Sequence, residues 1–165
     1  MIDAEQLRRY VIAPALQAIS LDSEAAQNIV LGTWAVESRL GTYLHQIGSG
    51  PALGPAQMEP ATHADIWRNY LRYRPPLAGA VRSLAPPLLW SDDPEVQVKP
   101  EALIASLYYA AAMTRVQYRR NPGTLPAADD WGGMAALWKD AYNGPGKGTP
   151  EKFLEAVTEC RLRTA

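Results

Sequence analysis

Residues 23–41 read Ser23-Glu24-Ala25-Ala26-Gln27-Asn28-Ile29-Val30-Leu31-Gly32-Thr33-Trp34-Ala35-Val36-Glu37-Ser38-Arg39-Leu40-Gly41. Asp22 or Ser23 supplies the N-cap, the helix runs to about Leu40, and Gly41 is its natural stop. Ala26, Ile29, Val30, Thr33 and Glu37 recur at steps of three and four and therefore share one stripe, with Trp34 flanking it. Glu37 thus falls on the apolar face, one turn before the helix gives way to a glycine-rich loop. An ionised carboxylate there is costly to desolvate, and burial favours its protonated form. That is the property of a general acid working near neutral pH. Position alone leaves a second reading open, a carboxylate paired with a core arginine or capping a neighbouring helix.

Outward from this segment the pattern stays helical. Asp3 and Gln6 form a capping pair ahead of Leu7, Tyr10 and Val11, and Pro14 is expected to kink or split that helix. Residues 41–59 carry Gly41, Gly48, Gly50, Pro51, Gly54 and Pro55, a density of breakers that predicts loop with room for a small hairpin in 42–58. Pro60 opens a helix presenting Ile66, Trp67, Tyr70 and Leu71, which ends by Pro75-Pro76. A short helix around 77–84 and a polar connection, 85–99, come next. Pro100 opens an apolar segment through Leu103–Met113, expected as one helix buried on every face. Asp129 or Asp130 caps a helix with Trp131, Met134, Leu137 and Trp138 inward, and Thr149-Pro150-Glu151 starts the last one. No repeat or boundary divides the chain. The expected fold is mainly α, a single helical domain over 1–165 with at most a small β-hairpin.

Composition narrows the function. The 165 residues are 47% hydrophobic and 20% charged, and 16 Lys and Arg against 17 Asp and Glu leave a net charge of −1, so nothing global calls for nucleic acid or an anionic membrane. The single cysteine, Cys160, excludes an internal disulfide framework and sits in the expected terminal helix without the motifs of a catalytic thiol. No apolar run is long enough to span a bilayer. No secretory signal is readable at the acidic start, Met1-Ile2-Asp3-Ala4-Glu5. Five Trp and eight Tyr against one Phe favour amphipathic rings, which suit stacking on a polar ligand such as sugar as well as core packing.

Two further blocks give Glu37-Ser38 its context: Gly54-Pro55-Ala56-Gln57-Met58-Glu59-Pro60-Ala61-Thr62, and far downstream Ala141-Tyr142-Asn143-Gly144-Pro145-Gly146. In this order they resemble the soluble-type lytic transglycosylases of the lysozyme-like superfamily. That family has a catalytic Glu-Ser at a helix end, a Gly-Leu-Met-Gln segment before a Pro-Ala-Thr helix start, and a later Ala-Tyr-Asn block leading into Gly-Pro-Gly. The resemblance covers about residues 23–148. It implies a lysozyme-like domain in which Glu37 is the acid/base that cleaves the β-1,4 bond of peptidoglycan. It further implies that Ser38, Gly54, Gln57, Tyr142 and Asn143 belong to the sugar cleft. Pro55 and Ala56 stand where the family has Leu and Met, and the family's central-helix Gly and Tyr-Leu pair is not evident in 103–120.

A lytic transglycosylase works with one carboxylate, whereas a glycosidase that hydrolyses normally uses two. Glu59, and after it Asp65, is the candidate second carboxylate of a muramidase alternative. A catalytically silent wall-binding or virion module is the third reading. His45 and His63 match no zinc spacing, so neither metal nor cofactor is expected. The glycine-rich stretches lack the Lys-Ser/Thr of a phosphate loop. The arginines of 66–91, interleaved with Trp67, Tyr70 and Tyr73, suit a solvated helix face or the carboxylates of cell wall better than RNA. The expected partner is the peptidoglycan glycan strand and the expected state a monomer. Cell-wall action without a signal suggests a phage endolysin, a virion component or a secreted effector.

Overall fold

In the computed structural model, which describes residues 1–164, Ser23 is the cap: its Oγ accepts from Ala26 N–H at 3.1 Å and opens α3 (Glu24–Ser38). Asp22 instead accepts from Gln17 and Gln27 side chains. Before it lie α1 (Ala4–Leu7) and α2 (Ala13–Ala18), joined by a π-turn, Arg8–Ile12. Pro14 explains that turn. It has no N–H to give the Tyr10 carbonyl one turn back, and the Tyr108 hydroxyl donates to Tyr10 O instead, at 2.9 Å. The helix is split in hydrogen-bond pattern at the proline.

α3 is buried along most of its length, from Ala26 to Ser38. It packs against α7 (Leu107–Arg119), α8 (Trp131–Trp138) and α9 (Pro150–Glu159). Two buried threonines stitch α3 to α7. Thr33 Oγ1 donates to Ile29 O at 2.7 Å and so receives the Tyr118 hydroxyl at 2.6 Å. Thr114 Oγ1 likewise donates to Ala110 O and receives Trp34 Nε1–H at 3.1 Å. Gly32 gives α9 its close approach, because a Cβ there would overlap the Phe153 ring.

Between α3 and α7 lie α4 (Pro60–Asn69), α5 (Pro75–Ser83) and α6 (Ala102–Ala105), with short 3-10 turns after α4 and α5, and a π-turn, Lys139–Asn143, follows α8. The apolar segment after Pro100 is not one helix. Ser106 leaves the helical region at φ −139°, caps α7 by accepting from Tyr109 N–H at 3.2 Å and donates to Leu84 O at 2.8 Å. A serine inside an apolar run carries its own competing bonds. The hairpin expected in 42–58 is reduced to isolated antiparallel bridges, His45 to Leu53 and Leu53 to Met58. Among the described residues no helix is long and apolar enough to cross a membrane.

α4 is anchored to α7 through a buried hydroxyl. Tyr109 Oη accepts from Trp67 Nε1 at 2.9 Å and lies 2.6 Å from His63 Nε2. Trp67 only donates, so the hydroxyl hydrogen goes to His63. Burial lowers the His63 pKa to about 4 and keeps the ring neutral at pH 7. Tyr109→Phe leaves an indole N–H and an imidazole nitrogen buried without partners, and is expected to cost about 2–4 kcal/mol in urea unfolding at pH 7. Removing the ring hydroxyl at no measurable cost would contradict this anchor.

Candidate active site

The end of α3 is set by two non-glycine residues in the left-handed region, Arg39 at φ 51° and Leu40 at φ 54°. Their N–H groups return to Ala35 O and Trp34 O, both at 3.0 Å, so the last helical carbonyls are satisfied as the chain turns away. The helix therefore stops before Gly41, three residues earlier than the glycine signal. This stop puts Glu37 in the final turn at the floor of a cleft of about 810 Å³.

One wall comes from the 43–62 segment: Tyr43, Gln46, Ile47, Ala52, Gln57, Met58, Glu59 and Thr62. The other comes from Gln117 on α7 and from Tyr142, Asn143, Pro145 and Gly146. This lining contains no lysine or arginine. It offers amides, hydroxyls and apolar edges, which suit the hydroxyl and acetamido groups of a sugar.

Glu37 Oε1 accepts from Trp138 Nε1–H at 3.0 Å. Burial raises its pKa to about 7, against the opposing pull of that indole N–H. Among the described residues no arginine or lysine pairs with the carboxylate, so the alternative of a core ion pair does not apply. Tyr43 donates to the Glu37 carbonyl at 2.7 Å and fixes the backbone at the same residue. Behind the carboxylate, Tyr118 and Tyr142 stack with ring centroids 5.6 Å apart and an interplanar angle of 27°. Burial holds both phenols protonated, well above the usual range, and the Glu37 charge acts in the same direction.

The residues singled out in the sequence separate here. Gln57 lines the cleft from a left-handed turn at φ 47°, its amide donating to Gly54 O at 2.8 Å. Tyr142 lines it too and ties the walls together, donating to Ala56 O at 2.9 Å. Asn143 is at the cleft, but its Oδ1 accepts from Lys139 Nζ and Gly148 N–H, each at 3.1 Å. Glu59 is an exposed cleft carboxylate at the start of α4 with no hydrogen-bond or ionic partner among the described residues.

Three expected cleft residues lie elsewhere. Ser38 is fully buried and donates to Pro55 O at 2.6 Å while accepting from Gly41 N–H at 2.9 Å, so it joins the end of α3 to the 54–57 turn. Gly54 is buried at φ +74°, and a Cβ would collide with the Leu103 carbonyl. It is required for the turn and does not line the cleft. Asp65 does not face Glu37. It accepts from Asn69 and from Arg120, and those bonds hold its carboxyl below the usual range. Arg120 in turn donates to Gln117 Oε1 at 3.2 Å, and Gln117 donates to Ala141 O at 3.1 Å. Asp65 thus braces a wall of the cleft from behind.

Sequence reasoning missed Trp138, Tyr43 and Gln117. Trp138 was placed inward by its period. The further signal was its N–H, since a buried indole must find an acceptor. Among the described residues no group of three or more His, Cys, Asp or Glu is placed to hold a metal ion. His45 is exposed and His63 serves Tyr109. The arginines of 66–91 are spoken for. Arg68 and Arg72 face Glu95, Arg74 stacks on Tyr70 at 3.7 Å and Arg82 on Trp90 at 4.2 Å. In comparisons with protein-family models, with curated proteins and with solved structures, nothing matches this chain.

The raised Glu37 pKa carries a stability consequence. The unfolded chain ionises this group near pH 4.5 and the folded one near 7, so stability present below pH 4.5 is lost as pH rises to about 7. Glu37→Gln keeps the neutral shape and removes that loss. The variant is expected to be more stable than the native chain by roughly 2–3 kcal/mol at pH 8 and to show no such gain at pH 4. Paired urea melts at the two pH values measure it.

Proposed function

We propose that this chain is a peptidoglycan-cleaving lytic transglycosylase of lysozyme-like fold, with Glu37 as general acid and then general base on the β-1,4 MurNAc-GlcNAc bond. One observation carries the reading: a half-buried carboxyl, its pKa raised to about 7, in a cleft whose lining holds no lysine or arginine and, Glu59 apart, offers amides, hydroxyls and apolar edges. The order of the Glu-Ser, Gly-x-x-Gln and Ala-Tyr-Asn blocks supports it from the sequence.

In the reaction Glu37 gives its proton to the glycosidic oxygen as the C1–O4 bond breaks, and the ring acquires oxocarbenium character. The carboxylate left behind takes the proton of the same sugar's 6-hydroxyl, and O6 closes on C1 to form a 1,6-anhydro ring. The proton lost to the leaving group is replaced by the one from O6. No water is consumed, and Glu37 returns to its starting state. Gln57, Tyr142 and Asn143 border the space where the sugars lie, with Tyr142 keeping the two walls at a fixed separation.

Glu59 favours a second reading. It borders the same cleft without a partner, and a carboxylate so placed can activate water, which makes the chain a muramidase. The products decide between the two. Digestion of purified sacculi is expected to release fragments with anhydro-muramyl ends, lighter by one water than the reducing ends of hydrolysis, as read by mass spectrometry. Glu37→Gln is expected to lose at least about 100-fold in wall clearing. Glu59→Gln is expected to stay within about tenfold, or ~1.4 kcal/mol of barrier. Reducing ends together with a severe Glu59→Gln defect establish hydrolysis. Native protein that binds wall yet clears it no faster than Glu37→Gln is a silent module.

A further inference from the structure

Trp138 makes a contact that no cleft residue makes, and its surroundings tie it to the loop that borders the cleft. Its indole is 2% exposed. One side faces Phe153, with centroids 5.7 Å apart. At the far end of the six-membered ring sits Gly148, where any Cβ would overlap Trp138 Cη2. Gly148 N–H is held by Asn143 Oδ1. The Lys139 ammonium, one residue beyond Trp138, grips Asn143 Oδ1 at 3.1 Å, Gly144 O at 2.9 Å and Gly146 O at 2.7 Å. Asn143, Pro145 and Gly146 border the cleft.

We propose that Trp138 is a positioning residue that decides which oxygen of Glu37 carries the transferable proton, and that the 143–148 loop sets the indole through Gly148. This deepens the reading of Glu37 as the acid and rests on it. An indole N–H can only donate, so Oε1 is an acceptor whether the carboxyl is charged or neutral. The neutral form therefore places its hydrogen on Oε2. Among the described residues Oε2 has no hydrogen-bond partner, and it is not sealed from solvent without one. That oxygen is the one free to meet a glycosidic oxygen in the cleft. The loop that borders the sugar is then also the loop that seats the indole, so a shift of residues 143–148 alters the acid directly.

The test is made by NMR on the intact chain and does not depend on activity. The Trp138 Nε1–H resonance is expected to titrate with Glu37, midpoint about 7, and to stop titrating in Glu37→Gln. In Trp138→Phe, which keeps a ring and removes the N–H, the Glu37 carboxyl ¹³C midpoint is expected to rise by about one pH unit, because a bond to the ionised form is lost. Gly148→Ala, which changes no charge, is expected to move that midpoint in the same direction. An indole resonance in the native protein that ignores Glu37 overturns the proposal even if neither variant folds. A midpoint that shifts in Trp138→Phe but stays put in Gly148→Ala overturns the loop's part in it. Where the native chain clears wall, the alkaline limb of kcat/KM should follow the same shift, since a higher pKa keeps the acid protonated to higher pH. A titrating indole in a native chain without lytic activity removes the enzyme reading and leaves the Trp138–Glu37 coupling standing. Lytic activity with a silent indole does the reverse.

Discussion

A carboxyl group at the inner end of a buried helix must be neutral, paired or hydrogen-bonded, and Glu37 meets that constraint with one indole. Burial pushes the group toward the neutral form and the N–H pulls the other way, with burial the larger influence. A guanidinium in the same place would have held the proton off, and an apolar side chain would have left the ionised form stranded. A neutral donor permits both states to exist in turn. The structure around the pair serves that balance. Gly32 lets Phe153 onto α3, Phe153 backs Trp138, and the left-handed residues Arg39 and Leu40 end the helix so that Glu37 stands in its last turn.

The same pair sets a cost that the fold has to absorb elsewhere. Above pH 4.5 the unfolded chain gains from ionising Glu37 while the folded chain resists, so Glu37 is a destabilising residue at neutral pH. His63 works in the opposite direction. Its folded pKa of about 4 lies below that of the unfolded ring, so the loss it causes sets in as pH falls below about 6.5. Above that pH both states of the ring are neutral and it is only a packed acceptor for Tyr109. The range in which Glu37 penalises folding most is thus the range in which His63 does not penalise it at all.

Much of this was legible in the sequence because local rules governed it. Ser23, Asp130, Pro60 and Thr149-Pro150 mark helix starts by their own chemistry, and each starts one here. Glu37 stood out because its period put a carboxylate among apolar neighbours. What could not be read depends on partners far along the chain. The Trp138–Glu37 bond joins residues 101 apart, and nothing local distinguishes an indole that finds a carboxylate from one that finds a carbonyl. Ser38 and Gly54 were drawn toward the cleft by their motif neighbours, but the backbone needed them first, Ser38 to close a loop and Gly54 to let Leu103 approach. The left-handed stop at Arg39-Leu40 carries no residue signal, since neither type prefers that region. Its one visible correlate is that Leu40 is buried in the core.

The two carboxylates near the cleft show how position outweighs residue type. Asp65 is only six residues beyond Glu59, yet α4 turns it toward the end of α7, where Arg120, together with Asn69 of α4 itself, holds it ionised and Gln117 inherits the benefit as a braced wall residue. Glu59 sits at the N-cap position of the same helix, borders the cleft and has no side-chain partner among the described residues. An acid held ionised by an arginine cannot give or take a proton at neutral pH. A free one can take a proton, but only from a group within reach. On the proposed reading of the cleft as a glycan site, its chemistry depends on what lies between Glu37 and Glu59. A 6-hydroxyl delivered to the Glu37 side closes the ring without water, whereas a gap on the Glu59 side admits the water that hydrolysis requires. The bonds of Tyr142 to Ala56 and of Gln117 to Ala141 hold the two walls, so in the proposed enzyme the choice of reaction falls to packing behind the cleft as much as to the acids within it.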